Sequence, residues 1–130
     1  MERILRTVLI VTAALAAACA PRDRTLVLLS TNDMHAKIRN FPRLAAAVEA
    51  CRDTAQLVVL VDAGDRWTGN AYVDRAATPG MPMIALMNRL GYDVATLGNH
   101  EFDHGQAFLG RMIDSMDFEV VCANVVSDTC

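Results

Sequence analysis

The chain has 130 residues, 53% of them hydrophobic and 21% charged, which is enough for one domain and too apolar for a disordered segment. Lys and Arg number 12 against 15 Asp and Glu, a net charge of −3, so nothing favours a nucleic-acid surface and no nucleic-acid polymer is expected as a partner. Seven Gly and four Pro exclude a collagenous or low-complexity chain.

Residues 1–19 read as an address label. Arg3 and Arg6 precede an apolar run from Val8 to Ala18, shorter than the ~20 residues a membrane-spanning helix needs. A basic start, a short apolar stretch and small residues at its exit make a secretory signal peptide of the lipoprotein type. Cys19 is then the lipidation site, with Ala16 standing where a lipobox usually carries Leu. The competing reading of this run is an ordinary first core helix. Export places the protein in the periplasm or cell envelope, touching membrane only through a lipid on Cys19. One pair among Cys51, Cys122 and Cys130 could oxidise there, and no CxxC spacing offers a zinc–thiolate site.

From Thr25 the sequence alternates between two periods. Residues 25–29 form a short apolar run that ends in polar residues, a buried strand leading into a loop. Phe41, Leu44, Ala45 and Val48 recur at helical spacing, with Pro42 suited to the first turn. Residues 57–61 are a second strand whose continuous apolar character predicts burial on both faces. Residues 66–80 are too irregular to assign. Met83, Met87 and Leu90 mark a helix that stops at Gly91, and residues 93–97 form a third strand. Phe108, Leu109, Met112, Ile113 and Met116 make another helical stripe, and residues 118–124 read as a fourth strand. This alternation predicts an α/β fold with a mostly parallel sheet, and such sheets bind ligands beyond the carboxyl ends of their strands.

Polar clusters fall at the ends of the first three strands: Asp33-Met-His35, Asp62-Ala-Gly-Asp65 and Gly98-Asn-His-Glu-Phe-Asp103. Asp, Asn and neutral His offer oxygen and imidazole ligands to Mn, Zn, Fe or Co. Asp33 and His35, two apart in extended chain, would point the same way. Gly64 and Gly98 would provide the backbone freedom for sharp exits that aim Asp65 and Asn99 into the crevice. A carboxylate such as Asp65 can bridge two cations, and a two-cation site suits phosphate-ester hydrolysis, which needs charge stabilisation and alignment above all. His100 with Asp103 fits an imidazole whose second nitrogen is oriented by a carboxylate. Any one cluster is weak evidence, because D-x-H triplets and Asp-x-x-Asp turns are common. The ordered set is more specific.

These strings resemble the first three motifs of the 5′-nucleotidase branch of the calcineurin-like metallophosphoesterases, the likeness running over residues 25–126. Asn88-Arg-Leu-Gly-Tyr-Asp93 and Cys122-Ala-Asn-Val125 match the same branch. The resemblance implies an incomplete, alternating strand–helix half of a calcineurin-like metallophosphatase sandwich over residues 25–130. It implies that Asp33 and His35 hold a first metal, Asp65 bridges, Asn99 holds a second, and His100 paired with Asp103 serves the leaving group. Two divalent ions would be the cofactors, and a nucleotide or other small phosphate ester the substrate.

Two features depart from the family. Its later ligands, a lone His and a Gly-His-x-His motif, have no counterpart, since the histidines here are His35, His100 and His104. The base-binding carboxyl-terminal domain is also missing, and Trp67 is expected to pack its loop. The chain therefore reads as part of an exported phosphoester hydrolase that alone binds metal weakly and turns over slowly or not at all. The alternative is a non-catalytic exported remnant or binding module.

Overall fold

The computed structural model of the chain describes residues 25–126. The elements in order are β1 (Leu26–Thr31), a 3-10 turn (Ile38–Asn40), α1 (Phe41–Arg52), β2 (Leu57–Asp62), α2 (Ala71–Asp74) and α3 (Met81–Leu90). They continue with β3 (Val94–Ala95), a second 3-10 turn (His100–Phe102), α4 (Gln106–Ile113) and β4 (Glu119–Val120). The signal segment with Cys19 lies outside the described residues, as does Cys130.

The four strands form one parallel sheet in the order β1-β2-β3-β4. Each parallel neighbour needs a crossover connection, and the helical segments between strands provide it. Pro42 sits in the first turn of α1, where its missing N–H leaves no bond unmade. Gly91 ends α3 in the left-handed conformation, its N–H donating to the carbonyls of Met87 and Asn88. The main core lies on one face of the sheet, where Leu60 and Ala95 pack with Phe41, Val48, Met83, Met87 and Phe118. A second cluster gathers Trp67, Ile84, Leu109 and Met112.

Several expectations need correction. β2 is not covered on both faces: Leu57 is 57% exposed, and its register partner Leu26 is 60% exposed. With Leu28 they belong to a sheet face on which no helix of the described residues packs. β3 and β4 are two-residue ladders, shorter than read from sequence, although hydrogen bonds from Asp93 to Leu60 and from Thr96 to Asp62 continue the β2–β3 pairing. Within the unassigned stretch, Asn70 caps α2, its side chain accepting from the N–H of Tyr72. Cys51 and Cys122 are free thiols. No helix of the described residues is long and apolar enough to cross a membrane.

Candidate metal centre

Three strand tips converge. The chain leaving β1 keeps hydrogen-bonding to the chain leaving β2 beyond the sheet: Asp33 N–H donates to the Gly64 carbonyl (3.2 Å), His35 N–H to Asp65 (2.9 Å) and Ala36 N–H to Arg66 (2.9 Å). This pairing is not extended chain, as the sequence suggested. Asp33, His35 and Ala36 have φ of 51°, 44° and 53°, and Asp65 and Thr68 have φ of 53° and 71°. Left-handed conformations of this kind cost side-chain-bearing residues on the order of 1–3 kcal/mol each and persist where surrounding contacts over-determine them.

The result is a cluster of donors. One ligand atom each from His35, Asp65 and His100 lie within 4.8 Å of one another. The two imidazoles stack edge-to-face, ring centroids 4.9 Å apart. The main chain fixes the Asp65 carboxylate, because its Oδ1 accepts from the His100 N–H at 2.9 Å. The His35 Nδ1 lies 3.1 Å from the Thr68 carbonyl, which can only accept, so that nitrogen carries the proton and Nε2 is left as the ligand atom. His100 Nδ1 lies 2.8 Å from Asp103 Oδ2, leaving its Nε2 free to carry a proton. That bond, foremost, raises the pKa of His100, with the charge of Asp103 and of the neighbouring acids adding to it. Asp103 is lowered by the same bond, helped by the Thr68 hydroxyl.

Asp33 and Asn99 are the exposed members of the expected ligand set. The Asp33 carboxylate is exposed, accepts from the Asn32 amide at 3.0 Å and is not among the three clustered ligands. Asn99 is exposed and leads into the second 3-10 turn. Trp67 packs its loop as expected, 1% exposed, its indole N–H donating to the His100 carbonyl at 3.0 Å. His104 is exposed and rests against Phe108, ring centroids 4.9 Å apart. Gly98, unlike Gly64, is not in the left-handed region. Its requirement is close approach, because a Cβ there would strike the Asp65 carboxylate, while one on Gly64 (φ 103°) would come 2.5 Å from the Gly98 nitrogen.

Sequence reasoning missed what lies beneath the cluster. Arg66 and Glu101 are fully buried. Arg66 Nε donates to Asp62 Oδ1 at 3.1 Å, and an Nη2 hydrogen bond goes to the Thr96 carbonyl. Burial, the largest influence, pushes the Asp62 carboxyl up, opposed by the Thr31 hydroxyl and by Arg66. Charged residues after a strand ordinarily read as solvated, so only their place directly after Asp65 and His100 hinted at this role. The apolar groove between α1 and α3, lined by Ile38, Phe41, Ala45, Leu86 and Leu90, shares no residue with the cluster.

Comparison with known proteins places the chain in a family. Residues 26–126 match the calcineurin-like phosphoesterase family. The trifunctional nucleotide phosphoesterase YfkN of Bacillus subtilis is 34% identical over 123 residues, covering 77% of this chain and 8% of that protein. A 5′-nucleotidase of Bos taurus is 31% identical, covering 82% of this chain and 21% of its own length. Among solved structures, the NAD nucleotidase of Haemophilus influenzae superposes with a TM-score of 0.71 at 28% identity, over 80% of this chain and 21% of that one. A 5′-nucleotidase precursor from Thermus thermophilus gives 0.69 at 31% identity, over 76% and 22%. The chain thus spans about a fifth or less of the length of these two curated relatives.

Proposed function

This chain belongs to the calcineurin-like phosphoesterase family, and from that premise we propose that it supplies the first three strand tips of a metal-dependent phosphoester hydrolase acting on nucleotide-type esters. The observation that carries the reading is the convergence of His35, Asp65 and His100 from three separate strand ends. The His35 imidazole and the Asp65 carboxylate fit a divalent transition ion such as Mn, Zn, Fe or Co, with the His100 imidazole beside them as proton carrier.

In this proposal His35 and Asp65 would hold the ion, Asp65 would also serve a second, and Asp33 and Asn99 would add oxygen donors. Bound divalent ions supply positive charge to the phosphoryl oxygens and acidity to the attacking water. The residues then divide the remaining work. The Thr68 carbonyl fixes the His35 tautomer, and the close Gly64–Gly98 contact holds the two loops together beside Asp65. As water attacks phosphorus and the P–O bond to the nucleoside breaks, His100 Nε2 gives its proton to the departing oxygen. Asp103 keeps the imidazolium populated at higher pH than an ordinary histidine. Substrate classes named for the relatives, nucleotides among them, support a nucleotide-type ester here. Export with acylation at Cys19 belongs to the same proposal, supported by the residue pattern of positions 1–19. Labelling with a radioactive fatty acid, lost in Cys19→Ser, checks it.

Titration of the full chain with Co(II), followed by visible absorption, tests the centre. Saturable binding that weakens at least tenfold in both His35→Ala and Asp65→Ala is expected, with slow Mn(II)-dependent hydrolysis of an aryl phosphate that His100→Ala abolishes. Co(II) uptake unaffected by either ligand variant would overturn the reading.

A further inference from the structure

The side chains of Asp65 and His100 sit on different loops, yet one buried group joins those loops from below. The Glu101 carboxylate accepts three main-chain N–H bonds: from Asp65 (2.9 Å) and Gly98 (2.6 Å) through Oε2, and from Arg66 (3.0 Å) through Oε1. Two of these donors belong to the loop leaving β2 and one to the loop leaving β3. Arg66 backs the carboxylate, its Nε 3.9 Å from Glu101 Oε1, and is itself paired with Asp62 at the end of β2. Asp62 Oδ2 in turn accepts from the Thr31 hydroxyl at 2.7 Å, at the end of β1. A chain of buried polar groups therefore runs under all three strand tips.

Stability alone does not account for it. A buried ion pair roughly breaks even against well-packed apolar side chains. This one also leaves Arg66 Nη1 without a hydrogen-bond partner among the described residues. What the arrangement does achieve is geometric. Three charge-assisted bonds on one rigid carboxylate fix the separation of the Asp65 and Gly98 backbones, and hence of the Asp65 and His100 side chains beyond them.

We propose that Glu101, held by Arg66, is the positioning residue of the metal centre, tying the two loops so that the ligand Asp65 and the proton carrier His100 keep their spacing. The inference rests on the metal reading of the site given under Proposed function. Outer groups that orient metal ligands typically change affinity ~10–100-fold when altered. Glu101→Gln preserves size but turns one acceptor into an amide N–H facing backbone donors, so Mn(II) affinity, read by electron paramagnetic resonance on the folded full chain, is expected to fall at least ~10-fold. Val48→Ala, a core truncation in α1 outside the cluster, is expected to leave that affinity unchanged, which separates positioning from general loosening. In the wild-type chain without metal, the amides of Asp65, Arg66 and Gly98 should exchange with solvent as slowly as strand amides, although they lie in loops.

Wild-type affinity in folded Glu101→Gln, an equal loss in Val48→Ala, or unprotected amides at those three positions would overturn the proposal. If Glu101→Gln fails to fold, the exchange pattern decides. If the wild-type chain takes up no Mn(II), the metal reading fails, and the exchange pattern then tests the tie by itself.

Discussion

At His100 the imidazole and the Asp103 carboxylate shift each other in opposite directions, the ring up and the acid down. The linkage follows from those signs. The histidine's share of stability is fully present below its ordinary pKa and is lost as pH rises through the raised value. The aspartate's share is present above its ordinary pKa and is lost as pH falls through the lowered one. The pair is solvent-exposed, so its effect on stability is small and its effect on proton supply is the larger consequence. Asp103→Asn is expected to bring the His100 titration, followed by NMR at its ring protons, back down towards 6.5; an unchanged midpoint would show that Asp103 does not set it. Gly98 is the other residue-scale constraint. Gly98→Ala should push Asp65 out of line and weaken Co(II) uptake by more than Gly110→Ala, whose Cβ meets nothing within 4 Å.

The elements show why some of this was readable. β1 and β2 were visible as uninterrupted apolar runs, and α3 was visible because Met83, Met87 and Leu90 keep one face until Gly91 ends it. α2 was not, since its four residues carry no periodicity and depend on the Asn70 cap. The coupling between elements was hidden altogether. Nothing in the spelling says that Arg66 turns inward to Asp62 and Glu101 instead of outward to water. Breaking that group should be severe: Arg66→Met leaves two carboxylates buried without their cation and is expected to cost about 3–5 kcal/mol, read from the urea midpoint. A loss under ~1 kcal/mol would mean that water reaches the site on the protein's natural motions.

Across the whole molecule the sheet is covered unevenly. Leu26, Leu28 and Leu57 are 60%, 64% and 57% exposed on neighbouring parallel strands, and β1 is an edge. An apolar face bordered by an edge that is unpaired among the described residues invites association. Leu28→Lys combined with Leu57→Lys should reduce concentration-dependent light scattering of the full chain while shifting the thermal midpoint little; scattering unchanged by the pair would place the sticky surface elsewhere. The expectation of burial on both faces of β2 misled because a hydrophobic run reports the strand's preference for an apolar neighbour, not whether one is present.

The residues by themselves determined the parallel α/β alternation, the family, and which strand ends carry ligand chemistry, because period and composition are local properties and donor types are written in the side chains. They named His35, Asp65 and His100 without giving the distances at which these three meet, within 4.8 Å of one another. That was decided by the tertiary structure, through left-handed turns at Asp33, His35 and Asp65 and a buried carboxylate at Glu101. Spacing along a chain fixes which side chains are available, but distance in space depends on how separate loops are tied together, and that tie lies 36 residues from Asp65 in sequence.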